Sequence, residues 1–512
     1  MNRSACNRCG ELVPAEPRDE EGRVWLVKQC PECGETRTLI SSDARRYRTK
    51  RSLDGECDYV GCRLECLDCP HKTKPSFVFL DVTNRCNLNC PICINNTPSM
   101  GFTFEPPLDY FEQVFSRLQH YSPRPPVQLF GGEPTVRKDL FEIISMARSY
   151  GLSVRVVTNG LRLADADYCR RLVESRTTIL IAYDGARPRT YRVLRGSEKA
   201  LELKEQAIEN LRDLPKAKVA LMTCVAKGFN EDELPELLSL CHKLRGNIRG
   251  VYFMPLVQSW DEDDFCLEPE RVTVEDIELL LEQCFGGERI DFVPAGVFGA
   301  MPRLIEYLRL KRPPFMGAHP NCESMYLLVN DGEHYVPLSR FIKGALPDVM
   351  RSLMEAEERF ARAEQCLRDS RRGRLLAALG LRESWLTLRA WLGAGRAVLG
   401  HLRVSRMLRG RGPGKLWHAA ALTAGLLLGK ERRELLRRHL TCANALQLIV
   451  LPFEDDATLE TQRLERCPNA FVYYDPAEDR LDTVPACAWG RHKNEVLKKI
   501  SAHYAADQAV HA

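Results

Sequence analysis

Cysteine is the residue type that most constrains how this chain can fold. The sequence contains 21 cysteines, and 11 of them lie within the first 93 of its 512 residues. A region so rich in cysteine has little apolar sequence for a core of its own, so we expect bound metal to hold its shape. In a reducing compartment these thiols would stay free to bind metal instead of forming disulfides.

Two CxxC pairs stand near the amino end. Cys6 and Cys9 are followed, after twenty residues, by Cys30 and Cys33, which is the spacing of two knuckles that close on one tetrahedral ion. Zinc and a single iron fit four thiolates equally well. A site with four protein ligands keeps no open position, so we predict a structural mononuclear site in a rubredoxin-like or zinc-ribbon-like module over residues 1–50.

A second group of four cysteines follows a basic linker. It consists of Cys57, Cys62, Cys66 and Cys69. Their short, irregular gaps suit a cuboidal iron–sulfur cluster as well as a lone zinc. We favour a cluster, because another iron–sulfur motif comes next, and we predict an auxiliary [4Fe-4S] segment over residues 51–74.

A third group supplies only three thiolates. Cys86, Cys90 and Cys93 form a CxxxCxxC motif directly after the apolar run 77–80, which is typical of a buried strand. Three thiolates on a four-iron cluster leave one iron without a protein ligand, and a substrate or cofactor can bind at that open position.

Residues 76–258 alternate short apolar runs with helix-like segments, the pattern of parallel βα units. The predicted strands are 77–82, 127–130, 154–157, 178–183, 219–225 and 251–254. Ligands gather at the carboxyl ends of such strands. The cysteine trio follows the first strand, and the second, third and fourth are followed by Gly131-Gly132-Glu133-Pro134-Thr135, Thr158-Asn159-Gly160 and Asp184-Gly185.

The trio together with the GGEP segment resembles the radical S-adenosylmethionine (SAM) superfamily, although Ile92 stands where that family usually has an aromatic residue. The resemblance implies an α/β fold in which residues 75–260 form a partial (βα)6 barrel. It implies that Cys86, Cys90 and Cys93 hold a [4Fe-4S] cluster whose open iron binds SAM. The residues expected to contact the cofactor are Gly131, Gly132, Glu133, Pro134, Asn159 and Asp184.

The chemistry implied by this resemblance is reductive cleavage of SAM to a 5′-deoxyadenosyl radical, which takes a hydrogen atom from the substrate. The cofactor carries the difficult step, so no side chain is predicted to act as a general base. Adjacent glycines would let the main chain approach a ligand with no Cβ in the way. The carboxylate of Glu133 could accept a hydrogen bond from an ammonium group.

Residues 261–512 are predicted to form a mainly helical region with scattered cysteines. Cys322, Cys442, Cys467 and Cys487 are interpreted either as ligands of a second auxiliary cluster or as small buried side chains. The family resemblance favours ligation. The remaining cysteines are predicted to be core residues: Cys169, Cys224, Cys241, Cys266, Cys284 and Cys366.

Residues 371–440 interleave Leu and Trp with many Arg. Such a pattern is typical of a helix that lies in a lipid interface, and it equally fits ordinary helical packing with a solvated Arg face. The run 416–428 is shorter than a membrane-spanning helix requires. We therefore expect a cytoplasmic protein with peripheral membrane contact. The formal net charge of +4 does not favour nucleic acid as a partner.

The overall layout resembles the archaeal tetraether synthase group and its bacterial relatives. That resemblance implies carbon–carbon bond formation on an aliphatic lipid chain. One alternative is radical methylation of a small heterocycle such as a pterin, and another is a non-catalytic iron–sulfur electron carrier or metal-handling protein. The expected cofactors are SAM, two or three [4Fe-4S] clusters and a mononuclear iron or zinc. The expected partners are a small-molecule or lipid substrate and an electron donor such as ferredoxin or flavodoxin.

Overall fold

The computed structural model describes residues 2–55, 58–69, 75–95, 100–257, 270–310, 313, 315–410, 412–427, 431–441, 444–453 and 455–511. The chain divides into two compact units. The first contains Met1–Ala44, Asp58–Leu280 and Ile449–Ala512, and the second contains Arg45–Cys57 and Leu281–Leu448. Cys57, Cys266 and Cys442 lie outside the described residues.

The first unit begins with a four-stranded antiparallel ribbon. Its strands are β1 (Arg3–Ala5), β2 (Leu12–Glu20), β3 (Arg23–Cys30) and β4 (Gly34–Ser41), and they lie in sequence order. Glu21 and Gly22 both have positive φ and connect β2 to β3 in a two-residue turn, the geometry that suits the twist of a hairpin. The next element is α1 (Ala44–Arg51), so the ribbon sheet ends earlier than the predicted module.

A parallel sheet forms the centre of this unit. It contains β5 (Phe77–Thr83), β6 (Val127–Gly131), β7 (Val154–Thr158), β8 (Thr178–Ala182), β9 (Lys218–Val225) and β10 (Ile248–Pro255). Each strand pairs in parallel with the next, because a helix-containing connection returns the chain to the same edge each time. The six predicted strands are confirmed, and the strands of the described residues do not close into a barrel.

The helices of these βα units carry one apolar face toward the sheet. They are α2 (Leu108–Leu118), α3 (Leu140–Ser149), α4 (Ala166–Glu174), α5 (Pro188–Arg195), α6 (Lys199–Arg212) and α7 (Leu234–Lys243). In α2, for example, the buried residues Phe111, Val114, Phe115 and Leu118 recur at helical spacing. At the boundary between the units the chain forms α8 (Val274–Gln283).

The carboxyl end of the chain returns to the first unit, whereas the sequence placed it in a separate region. After α16 (Thr461–Glu465), β15 (Asn469–Asp475) pairs in parallel with β5, and β16 (Arg480–Pro485) pairs with β15. The final helix is α17 (Trp489–His511). Residues 469–485 therefore cover the edge of β5, which would otherwise present unpaired backbone groups.

Aromatic side chains fix this carboxyl-terminal addition to the sheet. The ring of Phe471 stacks on Phe79 and on Trp489, with centroids 5.0 Å apart in both pairs. The indole N–H of Trp489 donates to Asp81 Oδ2 at 2.7 Å, which satisfies its one polar atom. Burial raises the pKa of Asp81 to about 6.

The second unit is mainly helical, as predicted. Its strands are β11 (Val293–Pro294), β12 (Ser324–Asn330) and β13 (Tyr335–Pro337), and β14 (Ala445–Val450) crosses the unit boundary. The helices are α9 (Pro302–Tyr307), α10 (Leu346–Asp369), α11 (Arg371–Ala378), α12 (Arg382–Leu399), α13 (Val404–Met407), α14 (Pro413–Leu427) and α15 (Arg432–His439). Among the described residues, no helix combines the length and apolar character needed to cross a bilayer.

A buried lysine attaches the ribbon to the rest of the first unit. Lys28 is fully buried, and its Nζ donates to Ala5 O at 2.7 Å, to Asn7 Oδ1 at 2.6 Å and to Ala457 O at 2.9 Å. Burial lowers the pKa of Lys28 to about 8, so the ammonium group is still mostly charged at pH 7. Its hydrogen bonds to three acceptors replace the hydrogen bonds to water that the ammonium group loses on burial.

We expect the substitution Lys28→Met to lower the free energy of unfolding by about 3 kcal/mol, because it leaves three buried acceptors without a donor. Thermal unfolding of the purified protein measures the effect. Lys218→Met, on the exposed first residue of β9, is the matched control and should leave the midpoint unchanged. Equal midpoints for the two variants would contradict the importance of this contact.

Candidate active site and metal centres

The carboxyl ends of the parallel strands surround one cavity. Most of the residues that the sequence singled out line it: Cys86, Cys90, Cys93, Gly131, Gly132, Glu133 and Asn159. Residues without such a prediction complete the wall: Ile92, Phe130, Thr158, Arg195, Met222, Cys224, Met254 and Val257. Pro134 is buried in a short 3-10 helix next to Glu133. The arrangement places three thiols, a polar loop and an apolar wall around one space.

The two glycines of the GGEP segment serve a purpose that the sequence analysis did not anticipate. A Cβ on Gly131 would lie 2.3 Å from Thr83 O, and one on Gly132 would lie 2.3 Å from Arg85 O. A side chain at either glycine would therefore clash with the backbone at Thr83 and Arg85, just before the cysteine loop. We had expected the two glycines to make room for a ligand instead. Hydrogen bonds from Gly132 N to Thr83 O and from Glu133 N to Arg85 O join the two loops.

Glu133 connects the loops after β6 and β7. Its buried carboxylate accepts hydrogen bonds from Thr135 N, Thr135 Oγ1 and Thr158 Oγ1 on Oε1, and from Asn159 N on Oε2. Burial raises the pKa of Glu133, and these donors oppose the rise. Since Oε1 already accepts three bonds, the oxygen better able to accept from an ammonium group is Oε2.

Two asparagines tie the cysteine loop to its neighbours. Asn159 Nδ2 donates to Asn87 Oδ1 at 2.7 Å, and Asn95 Nδ2 donates to Gly131 O. Lys493 of α17 donates to the carbonyl oxygens of Ile94 and Asn95 at 3.2 and 2.7 Å. The loop that carries the three cysteines is thus held from both sides by hydrogen bonds.

Asp184 does not line the cavity but orients a residue that does. Its buried carboxylate makes a two-point contact with Arg195, at 2.6 Å to Nε and 2.8 Å to Nη2, and accepts from Cys224 N. Burial would raise the pKa of Asp184, but the guanidinium group holds it below its usual value. The planar fork of Arg195 is therefore fixed in direction beside the cysteine loop.

Burial disfavours the thiolate form of two cysteines of the trio, Cys86 and Cys90. Burial raises the pKa of Cys86 to about 12. Burial also raises the pKa of Cys90, while the guanidinium of Arg195 opposes that rise. Three thiols that face one cavity fit the cysteine-ligated corners of an iron–sulfur cluster, and its binding would release their protons.

The first quartet has the geometry of a single-ion site. The sulfur atoms of Cys6, Cys9, Cys30 and Cys33 all lie within 4.8 Å of one another. Backbone N–H groups of Arg8 and Cys33 point at Cys6 Sγ and Cys30 Sγ, at 3.5 and 3.4 Å. Backbone N–H groups of Cys9 and Arg8 lower the pKa of Cys6 to about 6, so one thiolate is available at neutral pH. Four thiolates at this spacing fit one tetrahedral ion.

The second cysteine group adjoins a cysteine that is distant in sequence. Cys62, Cys66 and Cys69 line one cavity together with Cys467, whereas the sequence analysis grouped Cys467 with Cys322. The carboxylate of Glu465 accepts hydrogen bonds from the backbone N–H groups of Val60, Gly61 and Cys62. Residues 464–467 are therefore attached directly to the cysteine-rich segment.

The remaining cysteines differ in their burial and in the unit that contains them. Burial, followed by the charge of Cys487, raises the pKa of Cys467 to about 12. Cys322 is buried in the second unit. Of the cysteines expected in the core, Cys169 and Cys241 are buried, Cys284 is half-buried, Cys366 is exposed and Cys224 is half-buried at the cavity wall.

Comparison with known families agrees with this site. Residues 80–241 match the radical SAM superfamily, and residues 2–42 match a zinc ribbon domain described as the HMPTM N-terminal zinc ribbon. The chain belongs to the radical SAM superfamily. It is an enzyme that uses SAM and [4Fe-4S] clusters, and its first module is a zinc ribbon.

Several individual proteins are similar to this chain. The 7,8-dihydro-6-hydroxymethylpterin dimethyltransferase of Methanocaldococcus jannaschii is 33% identical over 354 residues, which cover 66% of this chain and 70% of that protein. The GTP 3′,8-cyclase of Nautilia profundicola is 29% identical over 195 residues, 35% of this chain and 57% of that protein. The solved structure of Streptococcus suis SuiB bound to S-adenosylmethionine covers 41% of this chain and 47% of that chain, at 15% identity with a TM-score of 0.34.

Sequence reasoning missed Arg195, Glu465 and Lys493. Arg195 is the last residue of α5, and Gly196 follows it with a φ of 72°, so an Arg-Gly pair at a helix end was the available signal. Glu465 and Lys493 reach the cysteine loops only through the fold, from elements late in the chain. Sequence spacing alone contains no signal for such contacts.

We expect Arg195→Lys to weaken SAM binding by about tenfold or more, because lysine cannot make the two parallel bonds that aim the charge into the cavity. Equilibrium dialysis of the iron-loaded protein against SAM measures the affinity, and the iron content should not change. Arg192→Lys, on the same helix in an exposed ion pair with Glu198, is the control. Unaltered SAM affinity in Arg195→Lys would show that this guanidinium does not contact the cofactor.

Proposed function

We propose that this enzyme methylates a carbon of a small heterocycle, with a reduced pterin as the substrate class. The similarity to a pterin dimethyltransferase carries the proposal, since it extends over 354 residues, about twice the length of the radical SAM match at 80–241. It therefore includes sequence outside the part that binds the shared cofactor. The match supports methylation of a heterocycle better than it supports lipid coupling.

The lining of the cavity is compatible with a flat ring. Phe130, Met222, Met254 and Val257 offer apolar surface, and Asn159 adds a polar group at the rim. Small-molecule sites commonly combine apolar walls with a few polar groups that fix orientation. When bound, SAM and its cluster supply a 5′-deoxyadenosyl radical, while the residues of this chain orient the reactants and exclude water.

The assignment of ligands to the radical cluster is part of the same proposal. Cys86, Cys90 and Cys93 would hold three irons, and Glu133 and Arg195 would face the amino and carboxylate groups of SAM. The support is that all five residues line one cavity and that Arg195 carries a charge of the sign a carboxylate requires. A one-electron donor such as ferredoxin or flavodoxin would reduce the cluster.

Anaerobic incubation of the reconstituted enzyme with SAM, dithionite and 7,8-dihydro-6-hydroxymethylpterin tests the function. We expect 5′-deoxyadenosine together with a pterin product heavier by one or more methyl groups, both measured by mass spectrometry. Each methyl group would come from a second SAM, which leaves as S-adenosylhomocysteine, while dithionite supplies the electrons that cleave the first SAM. Cys90→Ala should reduce both products at least about a thousandfold, because it removes a cluster ligand. Cys366→Ala, at an exposed cysteine, should be as active as the unmodified enzyme.

Two results would contradict parts of this scheme separately. Formation of 5′-deoxyadenosine by the Cys90→Ala enzyme would exclude the ligand assignment. Cleavage of SAM by the unmodified enzyme with an unchanged pterin would exclude the substrate class and leave the radical chemistry intact.

A second candidate is carbon–carbon bond formation on a lipid chain. The apolar cavity wall and the exposed leucines of the second unit favour it, namely Leu375, Leu379, Leu388, Leu392 and Leu399. Replacing the pterin by lipid vesicles in the same assay distinguishes the two. Stimulation of 5′-deoxyadenosine formation by lipid, with no methylated pterin, would favour the second candidate.

We also propose that the auxiliary cluster is held by Cys62, Cys66, Cys69 and Cys467. The support is the cavity that these four residues share and the attachment of the segment to Glu465. Cys57, the fourth ligand expected from sequence, lies outside the described residues. For the first quartet, zinc or a single iron is proposed on Cys6, Cys9, Cys30 and Cys33.

Iron and sulfide analysis of two single variants tests the auxiliary ligand set. Cys467→Ala should lower the iron content by about four atoms per chain, because three remaining ligands hold the cluster less firmly. Cys57→Ala should retain all of the iron. The opposite outcome, with loss of iron in Cys57→Ala only, would restore the ligand set expected from sequence.

A further inference from the structure

Helix α12 presents an apolar stripe on the side opposite to its packed face. Leu386, Ala390 and Ala394 are buried, and they join Ala356 and Phe360 of α10 in one hydrophobic cluster. The structure therefore fixes the orientation of α12 within the second unit. This packing determines which residues of α12 face the solvent, even where those residues are apolar.

The outward side is formed by leucine. Leu381, Leu388, Leu392 and Leu399, here called the leucine stripe, are spaced by seven, four and seven residues and fall on one line along the helix. Leu388, Leu392 and Leu399 are 50%, 52% and 59% exposed. Leu375 on the preceding helix α11 and Leu379, which directly follows that helix, are exposed as well. Isolated exposed leucines are common, but a continuous line of them marks an interaction surface.

Arginine lines one flank of the same helix. Arg382, Arg389 and Arg396, here called the arginine row, repeat every seven residues, and Arg389 and Arg396 are exposed. Residues 371–411 contain ten arginines and one acidic residue, Glu383. The charge of this segment is therefore much higher than the net +4 of the whole chain.

From these two features we infer that the leucine stripe and the arginine row form a docking surface for an anionic lipid bilayer, on which α12 lies flat. A bilayer offers apolar interior to the leucines and anionic headgroups to the arginines along the full length of the helix. This inference goes beyond the proposed function and holds for either candidate substrate.

Other occupants match only half of the surface. A second copy of the chain could cover the leucine stripe, but residues 384–411 contain no acidic side chain to pair with the arginine row. Nucleic acid would pair its phosphates with arginine and leave the leucines in water. The bilayer is the partner that satisfies both features at once.

Vesicle flotation with the full-length, cluster-loaded protein tests the surface. The probes are vesicles of phosphatidylcholine alone and vesicles of phosphatidylcholine with 30% phosphatidylglycerol. We expect binding at least about tenfold tighter to the anionic vesicles, with a loss of affinity as salt is raised.

Two combined variants separate the contributions of the stripe and the row. Leu388→Gln with Leu392→Gln and Leu399→Gln should weaken binding at least about tenfold. Arg389→Gln with Arg396→Gln should weaken it about 25-fold on anionic vesicles, at about fivefold per charge. Because all of these side chains are exposed, circular dichroism should be unchanged. The controls, Leu310→Gln at an exposed leucine outside the stripe and Arg170→Gln with Arg192→Gln, should bind as the unmodified protein does.

Several outcomes would overturn the inference. These are no binding to anionic vesicles, equal binding to both kinds of vesicle, or equal binding by the stripe variant and its control. A dimer in solution that the stripe variant converts to a monomer, without vesicle binding, would assign the surface to a second copy. Binding of a fluorescent RNA in place of vesicles would assign it to nucleic acid.

Discussion

The candidate active site depends on the close approach of two backbone segments, the loop after β5 and the loop after β6. Glu133 N donates to Arg85 O, and a single Cβ on Gly132 would come within 2.3 Å of that same oxygen. The absence of side chains at Gly131 and Gly132 thus sets the position of the cysteine loop relative to Glu133. Glu133 in turn connects to Thr158 and Asn159, so three strand ends share one hydrogen-bonded network.

Local sequence patterns predicted the strands and motifs of the site, but they did not predict the residues that contact those motifs from distant parts of the chain. The six strands, the cysteine trio and the GGEP segment could be identified because their signals lie within a few residues of one another. Arg195 was missed, because the Arg-Gly pair at the helix end does not indicate that its side chain binds the buried Asp184, eleven residues away. Cys467 joins Cys62, Cys66 and Cys69 only after the chain has returned to the sheet through β15. Contacts of that kind are set by topology, which cysteine spacing does not encode.

The enzyme combines two kinds of cysteine environment in its first unit. In the ribbon, backbone N–H groups favour thiolate at Cys6, as a closed mononuclear site requires. In the cavity, burial keeps Cys86 protonated until metal arrives. The same residue type therefore serves a structural site and a reactive one, and the difference comes from nearby hydrogen-bond donors and the degree of burial.

The pairing of β15 with β5 has a consequence for how the protein is made. Trp489 and Asp81, which are in direct contact, are 408 residues apart in sequence. During synthesis the edge of β5 and the carbonyl oxygens of Ile94 and Asn95 lack these partners until residues 469–493 have left the ribosome. A nascent chain thus exposes a sheet edge beside its cysteines for most of translation. A cluster bound before Lys493 has been made would therefore lie in a cysteine loop that still lacks the two hydrogen bonds from that side chain.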